Sequence, residues 1–204
     1  NDARQETPYA CEFDRLRKER FALLTKAALR VKDRGEVEKF IDGNSYLEAF
    51  CRFMALKEAN GGEDVPWDKW TTDEYDDDTL FAWKFMQYEF FTQWAEIKKY
   101  ANDRGIGLIG DIPIYVAQDS SDVWSRREMF KLDKNGQPTA VAGCSPDYFS
   151  EDGQMWGNPL YNWAEMKKDG YAWWCDRMRH MASMFDAVRI DHFRGFESYW
   201  SIPA

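Results

Sequence analysis

The alternation of apolar and polar positions divides the chain into a helical first third and a mixed remainder. From Cys11 to Val31, residues Phe13, Leu16, Phe21, Leu24, Ala28 and Val31 recur near the helical period and predict a first helix. Gly35 and Gly43 interrupt the pattern. Asn44 or Ser45 is placed to cap a second helix that carries Leu47, Phe50, Cys51 and Met54 and stops at Asn60-Gly61-Gly62. Residues 61–78 are polar, hold Pro66 and end in Asp76-Asp77-Asp78. They read as a connection whose acids favour the start of the next helix through its dipole. Core packing is the default role for Trp67 and Trp70. The third helix is predicted from Thr79 to Asn102. Trp83, Phe90, Trp94, Ile97 and Ala101 form one stripe, widened by Phe81, Phe85, Tyr88 and Phe91, so much of its length should be buried. Gly105 ends it.

Beyond Gly105 the period changes. A short apolar strand runs to Asp111, and Pro113, which cannot donate to a central ladder, closes it. Asp133-Lys134-Asn135-Gly136 lies between two extended segments, residues 130–132 and 139–141, and signals a hairpin, with an ordinary turn as the alternative. Residues 141–162 carry no period and read as a long irregular loop, of the kind that often binds ligand or covers a site. Helices are predicted at 163–168 and 171–184, and a strand at Ala187–Ile190. Two strands, each preceded by a helix and each ending at an aspartate, predict parallel βα architecture. In barrels and in open doubly wound sheets alike, chemistry gathers at the carboxyl ends of such strands.

The candidate chemistry follows from that placement. Arg189 and Asp191 lie two residues apart, so their side chains point to one side. An arginine beside a carboxylate favours its ionised form, as a carboxylate nucleophile requires. A purely structural ion pair at a strand end is the competing reading. His192 follows directly.

Composition narrows the classes. The 204 residues suffice for one sizeable core or two small ones. A net charge of −9 argues against nucleic acid or an anionic membrane as partner, and no apolar run approaches a membrane span of roughly 20 residues. The start, Asn1-Asp2-Ala3-Arg4, is no signal peptide and lacks methionine, which predicts preceding residues in the natural protein. Cys11, Cys51, Cys144 and Cys175 are isolated, as buried thiols of a reducing cytoplasm are. Two histidines argue against a histidine-rich metal site, and His180, within a predicted helix, reads as structural. The 10 Trp, 10 Tyr and 14 Phe serve a core and also suit sugar binding, in which rings stack on apolar sugar faces.

A set of longer motifs then becomes specific. These are Tyr100–Gly105 leading to Gly110-Asp111-Ile112-Pro113-Ile114-Tyr115-Val116-Ala117; Ser121-Asp122-Val123-Trp124; Val141-Ala142-Gly143; Pro146-Asp147-Tyr148-Phe149-Ser150; Gly153 to Tyr161; and Arg189 to Gly195. In this order they resemble the 4-α-glucanotransferases, or amylomaltases, of glycoside hydrolase family 77, over residues 91–204; residues before about 78 match weakly. The resemblance implies an α/β fold, a partial (β/α)8 TIM barrel with an N-terminal helical subdomain. Residues 1–77 would be that subdomain and 78–204 the barrel segment carrying the nucleophile strand and the acceptor-side loop. It implies a retaining double displacement on maltooligosaccharides and other α-1,4-glucans, with no cofactor and no metal. Asp191 would be the nucleophile and Arg189 its orienting group. His192 would contact the donor sugar, with a structural histidine as the alternative. Asp111 would support the site, either touching sugar or organising the strand end. Tyr148, Glu151, Gln154 and Trp156, on a lid near the acceptor, would bind substrate. The family's acid/base glutamate lies on a later strand and Glu197 is too near to match it. The chain is therefore expected to be an internal piece of a larger enzyme, inactive alone and open to self-association through unpaired strands. An α-amylase-clan hydrolase and a non-catalytic glucan-binding or interaction domain are the alternatives.

Overall fold

A computed structural model describes residues 9–148 and 150–204; Asn1–Pro8 and Phe149, the latter inside one of the motifs above, lie outside the described residues. The chain has a mixed α/β fold and packs as two compact units, one formed by residues 1–62 and 72–91, the other by 63–71 and 92–204. The division passes through a single helix, whereas the boundary expected at 77/78 coincides with that helix's start.

The described part of the first unit is helical: α1 (Phe13–Ala28), α2 (Gly35–Asp42), α3 (Ser45–Ala59) and the opening turns of α4 (Asp77–Asn102). Its core joins Ala28, Val37, Ile41, Cys51, Phe81 and Trp83. Lys84 stands between Glu38 at 2.8 Å and Glu48 at 3.1 Å, tying α4 to its neighbours. Helix α2 was not expected. The glycines that punctuate the pattern are its first residue and its C-cap, and Asp33 Oδ1 accepts from the Gly35 N–H at its start. Burial along α4 also differs from expectation. Phe81, Ala82, Trp83 and Met86 are buried, but Phe90 and Ile97 are exposed. Periodicity finds a stripe and cannot say how far the covering elements reach.

The second unit is built on two parallel strands, β1 (Ile109–Ile112) and β4 (Ala187–Ile190), in the register Ile109↔Ala187 to Ile112↔Ile190. Asp186 fixes their entry. Its Oδ2 accepts from Leu108 N–H and Asn102 Nδ2, both at 2.8 Å. The far end of α4 joins here, with Trp94 Nε1 donating to the Met184 carbonyl at 2.9 Å. The crossover between the strands holds α5 (Ser121–Ser125), α6 (Trp163–Lys168), α7 (Ala172–Met184), β2 (Ala140–Cys144) and β3 (Gln154–Pro159), and β2 and β3 form an antiparallel sheet with β5 (Trp200–Pro203), which follows β4, in the order β3-β2-β5. Here the structure corrects the long-loop expectation. Residues 140–144 (β2) and 154–159 (β3) pair, and β5 (Trp200–Pro203) covers the other edge of β2. Among the described residues, 145–148 and 150–153 connect them irregularly. The absent Gly143 side chain permits this, since a Cβ there would lie 2.4 Å from the Gln154 carbonyl oxygen and 2.5 Å from Ile202 Cδ1. The expected hairpin at Asn135-Gly136 is a turn closed by one bridge, Leu132↔Pro138.

That turn packs on Trp67, whose indole donates to the Gln118 carbonyl at 2.7 Å. Gly136 has φ +81°, and a Cβ there would lie 2.4 Å from Trp67 Cη2. Gly136→Ala is expected to destabilise the protein by about 1–3 kcal/mol through strain and overpacking, measured as a lower urea midpoint with unchanged slope.

Candidate active site

The site is assembled where β1 and β4 end. Parallel pairing sets Asp111 directly opposite Arg189. The guanidinium reaches across, donating from Nε to Asp111 Oδ1 at 3.0 Å and from Nη2 to Asp111 Oδ2. The planar fork of arginine suits such a two-point contact. The same Nη2 lies 3.9 Å from Asp191 Oδ1. One arginine therefore serves two strand-end carboxylates, bonded to one and adjacent to the other. Hydrogen bonding from Arg189, followed by its charge, holds the Asp111 carboxyl below its ordinary range. The same bond raises the Arg189 pKa. Asp191 continues the ladder, its N–H donating to the Ile112 carbonyl at 3.0 Å, and leaves its side chain two-thirds exposed.

His192 follows in the left-handed region, φ 51°, which turns the chain out of the strand and into a short 3-10 helix. Its ring meets Trp156 of β3 edge to face, centroids 5.1 Å apart at 88°. Trp156 is 37% exposed, and its Nε1 donates to Gln154 Oε1 at 2.9 Å. Behind it, Tyr115 lies 6.2 Å away and is itself stacked on the buried Tyr161. Tyr161 donates its hydroxyl to the Ile114 carbonyl at 2.7 Å, which fixes the backbone leaving β1.

The structure thus brings Asp111, Arg189 and Asp191 into one ionic group, and joins His192, Trp156 and Gln154 in one polar-aromatic group. Tyr148, 97% exposed, and exposed Glu151 stand on the connection between β2 and β3. The rings beneath the site, Tyr115 and Tyr161, lie within sequence motifs that by themselves assign them no role. Their signal was position, just past a strand-ending aspartate and just past a Gly-Asn-Pro strand. Among the described residues no group of three or more His, Cys, Asp or Glu could hold a metal ion. No helix among them is long and apolar enough to cross a membrane.

The family profile described as 4-alpha-glucanotransferase matches residues 1–204. The 4-alpha-glucanotransferase of Streptococcus pneumoniae is 48% identical over 200 residues, covering 89% of this chain and 39% of that protein. That of Clostridium butyricum is 45% identical over 201 residues, covering 90% and 41%. The solved structure of amylomaltase from Streptococcus agalactiae in complex with acarbose is similar with a TM-score of 0.90 at 36% identity, over 98% of this chain and 44% of that one. The chain spans about two fifths of the length of the curated relatives it matches.

The Asp111–Arg189 contact, more than half exposed at both partners, has a small pH signature of known sign. Because the folded carboxyl titrates below its unfolded value of about 3.9, the contact adds stability above that value and loses it as pH falls through the lower, folded one. Asp111→Asn is expected to reduce the drop in thermal midpoint between pH 6 and pH 3, read by circular dichroism at a series of pH values about one unit apart.

Proposed function

The chain belongs to the 4-alpha-glucanotransferases, glycoside hydrolase family 77, and from that premise we infer that the whole protein moves α-1,4-glucan segments from one maltodextrin to another. The observation that carries the reading is the division of labour at Arg189. The arginine is bonded to Asp111, while Asp191, 3.9 Å away, keeps an exposed carboxylate. A carboxylate close to a fixed positive charge but not bonded to it at both oxygens retains a lone pair for attack.

In this proposal Asp191 attacks the anomeric carbon of the donor glucan. The bond from that carbon to the glycosidic oxygen breaks as a second carboxyl group gives the oxygen its proton. An acceptor hydroxyl then attacks the covalent glucosyl ester, the second carboxyl takes the proton back, and configuration is retained. Such a pair stands about 5–5.5 Å apart. Asp111 is committed to Arg189, so the second carboxyl is assigned to the part of the relatives' length that this chain does not span, as is completion of a (β/α)8 barrel around β1 and β4. Arg189, 3.9 Å away, orients Asp191. His192 binds hydroxyls of the donor sugar. Trp156 stacks on a sugar face, Gln154 offers its amide beside it, and Tyr148 and Glu151 meet the acceptor from the 145–153 connection. Covering the ester with that connection favours attack by sugar over attack by water. No cofactor is needed. A cytoplasmic location is part of the same proposal, supported by four cysteines that form no disulfide.

In the full-length protein, Asp191→Asn is expected to lower maltotriose disproportionation by about a thousandfold or more, followed as glucose and longer maltodextrins. Unchanged transfer would overturn the assignment of the nucleophile. Reducing ends without longer products would make the protein a hydrolase. The 204-residue chain alone is expected to transfer nothing.

A further inference from the structure

A column of buried rings, ended by a half-buried arginine, runs from α7 to the underside of Trp156, and the reaction proposed above makes no direct use of it. At its far end is Arg177. Its guanidinium lies over two indoles at once, 5.2 Å from the centre of Trp173 and 4.9 Å from that of Trp174. Both indoles are buried, and both lie 5.6 Å from the ring of Tyr161. Tyr161 is 1% exposed, bonds through its hydroxyl to the Ile114 carbonyl, and stacks on Tyr115 at 6.0 Å and 21°. Tyr115 in turn supports Trp156, and Trp156 meets His192.

A guanidinium in such a place is expensive. Arg177 is half-buried, and taking a charge even partly out of water carries a penalty. Arg177 also leaves Nη1 buried without a hydrogen-bond partner. Burial lowers its pKa, opposed by Tyr161 and by the carboxylate of Asp122, which itself accepts from Trp173 Nε1 at 3.1 Å. Stability therefore gives little reason for a charge here. Geometry gives one. The flat cation fixes the two indoles, the indoles hold Tyr161, and Tyr161 clamps the segment after β1. Asn158 of β3 holds that segment a second time, donating to the Val116 carbonyl at 2.8 Å. Trp156 precedes Asn158 by two residues on the same strand, so both the strand that carries the tryptophan and the ring on which it leans are referred to one base.

We propose that Arg177, acting through Trp173, Trp174, Tyr161 and Tyr115, is a positioning residue that sets the Trp156–His192 pair against the bound glucan. This rests on the glucan-transfer reading. A displacement of about 1 Å in a positioning group can lower rate a hundredfold, so the column has leverage without touching sugar.

The test compares wild type with two variants of the full-length protein. R177M/D122N removes both half-buried charges and leaves neither alone. Arg177→Lys keeps the charge and loses the plane that lies over both indoles. Each is expected to raise KM for maltotriose about fivefold or more, beyond any fall in kcat, and to raise the ratio of hydrolysis to transfer. Thermal midpoints should stay within a few degrees of wild type. Unchanged KM and product ratio in folded R177K overturns the inference even if the double variant does not fold. So does a fall in thermal midpoint whose kinetic effects vanish at lower temperature, since that marks a structural role only. Absence of transfer in wild type would instead remove the functional reading on which the inference stands.

Discussion

The parallel register of β1 and β4 is the constraint on which the site depends. It is pinned at both ends by aspartates. Asp186 takes the Leu108 N–H and the Asn102 amide where the strands begin, and Asp111 takes the Arg189 fork where they end. A slip of one residue would send Arg189 to the opposite face. The Arg189 contact is too exposed to stabilise much by its charge. Its value is directional, since it decides which carboxylate is occupied and which stays open.

The second constraint is the antiparallel sheet. β2 lies between β3 and β5, so the strand that carries Trp156 and the chain that leaves His192 are held by one central strand. His192 itself lies between β4 and β5, at the start of the short 3-10 helix, and meets Trp156 of β3 there. The aromatic residues counted in the sequence thus serve two purposes. Tyr115, Tyr161, Trp173 and Trp174 form a buried base, and Trp156 alone among these stands partly in solvent.

The parallel pair was legible because each strand is local, with four apolar-rich residues between a helix and an aspartate. The helices at 45–59, 163–168 and 172–184 were legible for the same reason. The β3-β2-β5 sheet was not. Gly143, Gly157, Pro159 and Pro203 break the alternation that identifies strands, and Ala140 pairs with Pro203 across most of the crossover. Such strands are defined by their neighbours. Helix α2 was hidden because its bounding glycines look like loop punctuation. At the site, the kinship of Arg189 with Asp191 was visible from their spacing. The stronger bond to Asp111 was not, because it depends on register. Arg177 gave no signal beyond a helical step of three and four residues from two adjacent tryptophans.

The Asp111–Arg189 contact joins residues 78 positions apart. Bringing such distant points together adds little to the entropy of closure, about 0.6 kcal/mol per doubling of the loop, but it governs time. Long-range parallel pairing is slow, and a chain made from its N-terminus displays Asp111 long before Arg189 and Asp191 exist to meet it. The helices of the first unit are complete by then. A nascent chain therefore carries a finished helical unit and an unpaired, half-apolar β1, and it passes through an interval in which that edge must be kept from other chains.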